Sequence, residues 1–452
     1  MSRPVDPSTT RPEAELAAFV ADLTHEDVPD AARTTIERAF VDTVGVTLAG
    51  AVADAGARTA TLATAVGEGE TTVLGTGETA PLTDAVLANG TAGHALDYDD
   101  LSWAMDGHPS VPIVAPALAL GEWLDASGRD VVAAFAAGFE AECYVAEPVS
   151  PTHYEAGWHP TSTFGTFGAA ATAASLLDLS AEETARALAI AASMPAGLKR
   201  NFGTMTKPLH AGLAGRSGVT AALLARDGFT ADDAAISGER GFWELYADGA
   251  ERRADPPGDP WRLLEAGISV KAYPCCYFTH TGVALAAALA DDHGLLPDDI
   301  ARIEAAVSRG AGDALVHPDP ETGLEAKFSM EYALAAGVVF DRVGLAAFEP
   351  EALSDPEVQH VRERASFRVD DSLSYKSNYA EVVVETVDGD RFADTMKAPP
   401  GTPANPLTET ELRAKFTECA TRVLDDDAAE TAFESLRSLR TQSSVRDLLA
   451  PL

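Results

Sequence analysis

The sequence predicts a mainly α protein, a large all-helical domain with an inserted smaller α+β lid domain. Three observations carry this. Apolar residues recur at helical spacing almost without a break from about residue 12 to 265. Near residue 268 the pattern changes to period-two alternation with hairpin chemistry. Beyond the Pro- and Gly-rich stretch "APPGTPANP", residues 398–406, the helical pattern returns. The expected division is therefore 1–267 for the first part of the helical domain, 268–401 for the α+β lid and 402–452 for the helical return. A chain of 452 residues has room for two or three domains at roughly 100–200 residues each.

The helical part rests on segments such as "RPEAELAAFVADL", "DAARTTIERAFVDTVGVTLAG" and "SAEETARALAIAASM". Ser180 and Glu183 have the spacing of a capping box, in which each side chain satisfies an amide of the other's turn. The Gly- and Ala-rich runs "GTFGAAATAASLL" and "HAGLAGRSGVTAALLA" suit helices that approach one another closely. In the inserted part, "ARIEAAVS" alternates Ile303, Ala305 and Val307 as a strand would. Asp388-Gly389 stands between β-rich flanks, a strong hairpin signal. "KFSMEYALAAGVVF" and "DPEVQHVRERA" read as helices between the strands. Thr408 and Glu411 form a second capping-box pair where the helical pattern resumes.

Charge narrows the function classes. Asp and Glu number 70 against 33 Lys and Arg, a formal net charge of −37 spread along the chain. Such a surface repels phosphate backbones and anionic lipid, so neither nucleic acid nor membrane is an expected partner. No apolar run reaches the ~18 residues of a membrane span. The opening stretch lacks the apolar core of a secretory leader, so a cytoplasmic location is expected. Scattered acids fit a salt-rich, halophile-type milieu, because the Debye length falls to about 3 Å at 1 M; a basic partner is the alternative. Cys143, Cys275, Cys276 and Cys419 lack disulfide or zinc-site spacing and read as reduced, small core residues.

Four stretches carry the chemistry. "GHALDYDDLSWAMDGHPSVPIV" places His94 and Asp97 at the i, i+3 spacing of one helix face, then His108-Pro109-Ser110 at the start of a new helix. "GWHPTSTFGTFG" repeats that grammar with His159-Pro160-Thr161. "KRNFGTMTKPLHAG" sets Thr206 and Lys207 before Pro208, with His210 following. "VKAYPCCYFTH" brings Lys271, Cys275, Cys276 and His280 together. Three of the four put a His or Lys at a helix mouth, where free amides and the dipole favour an anion, so the set predicts a site for carboxylates or phosphate. Asp99 and Asp100 read as a solvated helix end. His94, Asp97 and His108 make only a weak metal signature, and no metal is expected. There is no Walker loop, no strand-linked G-x-G-x-x-G and no G-x-S-x-G.

Taken in order, "GHALDYDD", the two His-Pro motifs, "GTMTKPLHAG", "KAYPCC", "LEAKFSMEYALA" and "APPGTPANPLTETELRAKF" resemble the MmgE/PrpD family over nearly the whole chain. The resemblance implies a large helical domain, a smaller lid domain, a homodimer, and chemistry on small di- or tricarboxylates without metal or organic cofactor. It also assigns roles. Asp97, His108, His159, Lys207 and Lys271 are the catalytic candidates, and Ser102, Thr206, Cys276 and His280 the substrate-binding ones. Family decarboxylases carry a Thr where this chain has Leu101, with Ser102 adjacent, and a His where it has Cys276. Their lid tyrosine has no evident counterpart near Ala314 or Leu315. His280 replaces the missing His if it shares a helix face with Cys276.

The leading expectation is a 2-methylcitrate dehydratase-like hydro-lyase. A cis-aconitate decarboxylase-like carboxy-lyase, an iminodisuccinate-type epimerase and a non-catalytic carboxylate-binding protein are the alternatives. In the leading case His159 or Asp97 removes a proton α to a carboxylate, and His108 protonates the leaving hydroxyl. Lys207 and Lys271 hold the carboxylates, since the enolate-like transition state calls for preorganised positive charge.

Overall fold

A computed structural model describes residues 11–150, 152–246 and 254–452. The fold is mainly α and divides into two compact units. The larger comprises residues up to 95, 99–268 and 413–452; the smaller comprises 96–98 and 269–412.

The larger unit is a stack of helices whose inner members are apolar on nearly every face. Helices Ser110–Leu124, Gly128–Ala146 and Pro160–Leu176 bury almost all their residues, as all-round apolar helices must. Their close contacts explain the small-residue runs. A Cβ added to Gly90, in helix Leu82–His94, would lie 2.9 Å from the Cα of Gly212, in helix Thr206–Arg226. One added to Gly218 would meet the backbone nitrogen of Ala170 at 2.5 Å. The capping box at Ser180 and Glu183 is formed in both directions. A short antiparallel hairpin, Thr71–Val73 with Glu78–Ala80, is the strand content of this unit among the described residues. The C-terminal return packs inward: Lys415 reaches Asp42 at 2.5 Å, and Phe416 lies against Gly45. No single described helix is long and apolar enough to cross a membrane.

The smaller unit is built on a four-stranded sheet in the order Ala365–Val369, Ile300–Val307, Ala380–Thr386, Arg391–Met396. The first pair is parallel and the others antiparallel. Burial alternates strictly along Ala380–Thr386, the pattern of a sheet with one covered face. Helices His280–His293 and Met330–Val339 supply that cover. The Asp388-Gly389 signal is a hairpin turn, with Gly389 at φ 92°, where a side chain would be strained. Thr408 and Glu411 cap each other as their spacing predicts, at the start of helix Glu409–Ala420. The Pro- and Gly-rich stretch before them is bonded into this unit, since the Val270 amide donates to the Gly401 carbonyl at 2.9 Å.

Candidate active site

The larger unit gathers four imidazoles, two of them beside one carboxylate. His94 is the last residue of helix Leu82–His94. His108 sits just before Pro109, the N-cap of helix Ser110–Leu124, and its amide donates to Thr161 Oγ1 at 3.0 Å. His159 is the N-cap of helix Pro160–Leu176, with Pro160 in the first helical position as the sequence suggested. His210 lies one turn into helix Thr206–Arg226. Ring centroids are 4.5 Å apart for His94 and His108, 5.6 Å for His94 and His159, and 5.3 Å for His159 and His210. Lys207, 6% exposed, holds its ammonium 5.2 Å from the centre of the Phe202 ring, and that ring stands edge-on to His159 at 5.0 Å.

Asp99 is the anion among these bases. It is fully buried, 2.8 Å from His94 Nδ1 and 3.2 Å from His108 Nδ1 through the same oxygen. Burial alone would raise its pKa, but His108 and His94 outweigh that and hold it well below the carboxylate range. Asp100, also fully buried, accepts the Ser110 amide at 3.2 Å and the Ser110 hydroxyl, and so caps the helix that follows His108. The expectation that Asp99 and Asp100 form a solvated helix end is therefore wrong: both point inward, where histidines and a helix start satisfy them.

Burial sets the protonation of the rings. Desolvation, reinforced by the Lys207 charge, pushes His210 down to about 4 and His159 well below its ordinary value. His94 also falls to about 4 by desolvation, against the pull of Asp99. These three rings are neutral at pH 7, so Lys207 supplies the lasting positive charge. The arrangement can hold a carboxylate against one cation and pass a proton through neutral imidazoles.

The smaller unit contains a second charged pair. Lys271, 1% exposed, donates to the Asp97 carbonyl at 2.8 Å and lies 3.2 Å from Asp97 Oδ1. Asp97 has φ 52°, a left-handed conformation that Asp tolerates better than most residues. It stands beyond the end of the helix that His94 closes, so the two do not share a helix face, which corrects the i, i+3 reading. A further buried lysine, Lys327, donates to the Leu96 carbonyl.

The remaining candidates are placed as follows. Ser102 is buried and its hydroxyl donates to the Gly267 carbonyl at 2.8 Å. Thr206 is exposed at the first position of its helix. Cys276 is buried and precedes the 3₁₀ turn Tyr277–Thr279, while His280 opens the next helix and donates from Nε2 to the Cys275 carbonyl at 3.4 Å. Cys276 and His280 therefore do not lie on one helix face, so that route to a replacement histidine is closed. Residue-type reasoning passed over Asp99, Phe202 and Lys327 and left His210 outside the site. The usable signal for Asp99 was its place five residues after His94, within reach once the helix ends.

His94, Asp99 and His108 bring donor atoms within 4.8 Å of one another, close enough for a small cation.

Comparison with known proteins places the chain in a family. The family profile described as the MmgE/PrpD N-terminal domain matches residues 14–255, and that of the MmgE/PrpD C-terminal domain matches 273–440. Human cis-aconitate decarboxylase is 30% identical over 372 residues, covering 79% of this chain and 77% of its own length. The mouse cis-aconitate decarboxylase is 30% identical over 386 residues, covering 82% and 78%. A cis-aconitate decarboxylase-like protein of Aspergillus oryzae is 27% identical over 97% of this chain and 96% of its own. The chain belongs to the MmgE/PrpD family and is an enzyme, a lyase.

Proposed function

We propose that this enzyme removes carbon dioxide from cis-aconitate or a close tricarboxylate analogue, without metal or organic cofactor. The curated relatives quoted above are named for that activity, which favours decarboxylation over the 2-methylcitrate dehydration that motif reading put first. The observation that carries the reading is the buried set of neutral imidazoles beside Lys207, around one anionic Asp99.

The chemistry asks for such a set. In cis-aconitate the bond from the methylene carbon to its carboxylate breaks and carbon dioxide leaves. The released pair becomes a new C=C, and the old C=C pair moves to the carbon α to the far carboxylate, where a proton is delivered. Charge builds on that far carboxylate, so a fixed cation such as Lys207 is worth more in the transition state than in the ground state. Asp99 lies as a counter-charge beside His108, the ring placed to deliver that proton, and His159 is a second imidazole in the cluster. The Asp97–Lys271 pair belongs to the same reading as a second substrate-holding group, and a homodimer as its assembly.

Proton NMR in deuterated water, after exhaustive chelation, tests this against cis-aconitate, 2-methylcitrate, citrate and iminodisuccinate. Carbon dioxide release from cis-aconitate, with one deuterium on the carbon α to the far carboxylate, is expected. Dehydration of 2-methylcitrate without decarboxylation would establish the second reading, which the departures at Leu101 and Cys276 favour. Inertness towards all four would leave a carboxylate-binding protein. Activity restored only by one divalent ion would place a metal at His94, Asp99 and His108. Light scattering on the purified enzyme tests the dimer.

A further inference from the structure

His94 and His108 come from different helix ends, yet both turn Nδ1 towards one carboxylate. Asp99 Oδ2 is 2.8 Å from His94 Nδ1 and 3.2 Å from His108 Nδ1, and Oδ1 is 3.0 Å from His94 Nδ1. The backbone on either side of this contact is anchored. Asp100, next to Asp99 in sequence, is bonded to the Ser110 amide and hydroxyl at the start of helix Ser110–Leu124. The His94 end is equally fixed: a Cβ added to Gly93 would lie 2.7 Å from Val111 Cγ2, on that same helix. An ionised carboxylate only accepts hydrogen bonds, so the His94 Nδ1 bonded to it must carry the proton. His108 Nδ1 stands at ion-pair distance from the same anion, outside hydrogen-bond geometry, and a lone pair there would face a negative charge. His94 Nε2 is buried and has no hydrogen-bond partner among the described residues, an acceptor left open.

We infer that Asp99 is the positioning residue that fixes His94 and His108 as Nδ1–H tautomers, leaving the Nε2 atom of each ring for proton transfer. Asp99 itself touches no reacting atom. It acts by removing the tautomer choice, so that no substrate has to select it at each turnover. A carboxylate on the far nitrogen of a catalytic imidazole works through orientation in the same sense. One carboxylate serving two rings adds coupling, because a change at Asp99 misplaces both protons together.

The tautomer claim stands apart from the proposed reaction, and only the kinetic arm of the test rests on it. Nitrogen-15 NMR of the full-length enzyme, with histidine signals assigned through bonds to the backbone, reads the tautomers directly. His94 and His108 should both show Nδ1–H in the wild type; Nε2–H in either ring would overturn the inference with no variant needed. Asp99→Leu has no acceptor in place of the carboxylate, so neither Nδ1 proton is selected and Nε2–H should appear in one or both rings. With cis-aconitate as the probe, that variant should lose kcat about 10²–10⁴-fold, the usual span of acid–base catalysis, with KM changed far less. Unchanged tautomers in the variant, or a loss seen in KM alone, would also overturn it. If the wild type does not turn over cis-aconitate, the proposed reaction fails while the nitrogen spectra still decide the role of Asp99.

Discussion

His159 and His210 meet nitrogen to nitrogen, with their Nδ1 atoms 3.0 Å apart. One must donate and the other accept, so the two rings cannot both be protonated there. Each also lies under the charge of Lys207. The contact makes His210 the partner that fixes which face of His159 carries the proton. His210→Leu should strand a buried nitrogen at about 1–3 kcal/mol, lowering kcat roughly 10- to 100-fold, whereas His210→Gln, which keeps a donor and an acceptor, should lose less. Steady-state kinetics on both variants check this; equal losses would make the contact incidental.

Lys207→Ala should remove turnover while the fold survives, because the ammonium lies over the Phe202 ring beside the histidine cluster. A lost charged hydrogen bond alone costs about 1.5–3 kcal/mol, or roughly 10- to 150-fold in kcat/KM. Circular dichroism establishes the fold and kinetics the loss. Near-normal activity would take Lys207 out of the site.

Glu142 predicts a stabilising change. It is fully buried in helix Gly128–Ala146, and neither carboxylate oxygen has a hydrogen-bond partner among the described residues. Desolvation, with Asp100 adding repulsion, pushes its pKa well above the usual range. A raised carboxyl pKa gives stability that is full below the unfolded value and is lost as pH rises through the folded one. Glu142→Met should raise stability by about 1–3 kcal/mol, and its advantage should widen from pH 5 to pH 9. Thermal melts at the two pH values test the sign, and a gain that shrinks with pH contradicts the protonated assignment.

The acidic surface makes the fourth prediction. With net charge −37, folding at low ionic strength works against self-repulsion. Melting temperature should rise from 0.1 M towards ~2 M potassium chloride as screening tightens from about 10 Å to below 3 Å. KM for an anionic substrate should rise over the same series, since the pull of Lys207 is screened too. A melting temperature that stays flat or falls would point to a basic partner for the surface.

Much of this was legible in the sequence because periodicity and capping are local. The helical runs, the hairpin at Asp388-Gly389 and the capping boxes at Ser180 and Thr408 depend on residues a few positions apart. His108, His159 and Lys207 were legible because Pro beside each marks a helix start. Asp99 was not, because acids after a helix look solvated until their partners come from elsewhere in the chain. His108 is such a partner, and Ser110 is another for Asp100. The i, i+3 pairing of His94 and Asp97 failed for a related reason: the helix stops at His94, and the left-handed Asp97 leaves its axis.

The inward packing of the C-terminal return bears on how the protein is made. Asp42 is buried near the start of the chain, and the ammonium facing it belongs to Lys415. The Gly75 amide likewise donates to the Leu452 carbonyl at 3.0 Å. During synthesis the larger unit must therefore wait with an unbalanced acid inside until residues past 412 have left the ribosome. A premature stop near that point would spare every side chain assigned to catalysis and still yield an unfolded product. Truncations ahead of Lys415 thus belong with loss-of-function alleles, although they lie far in sequence from the histidines.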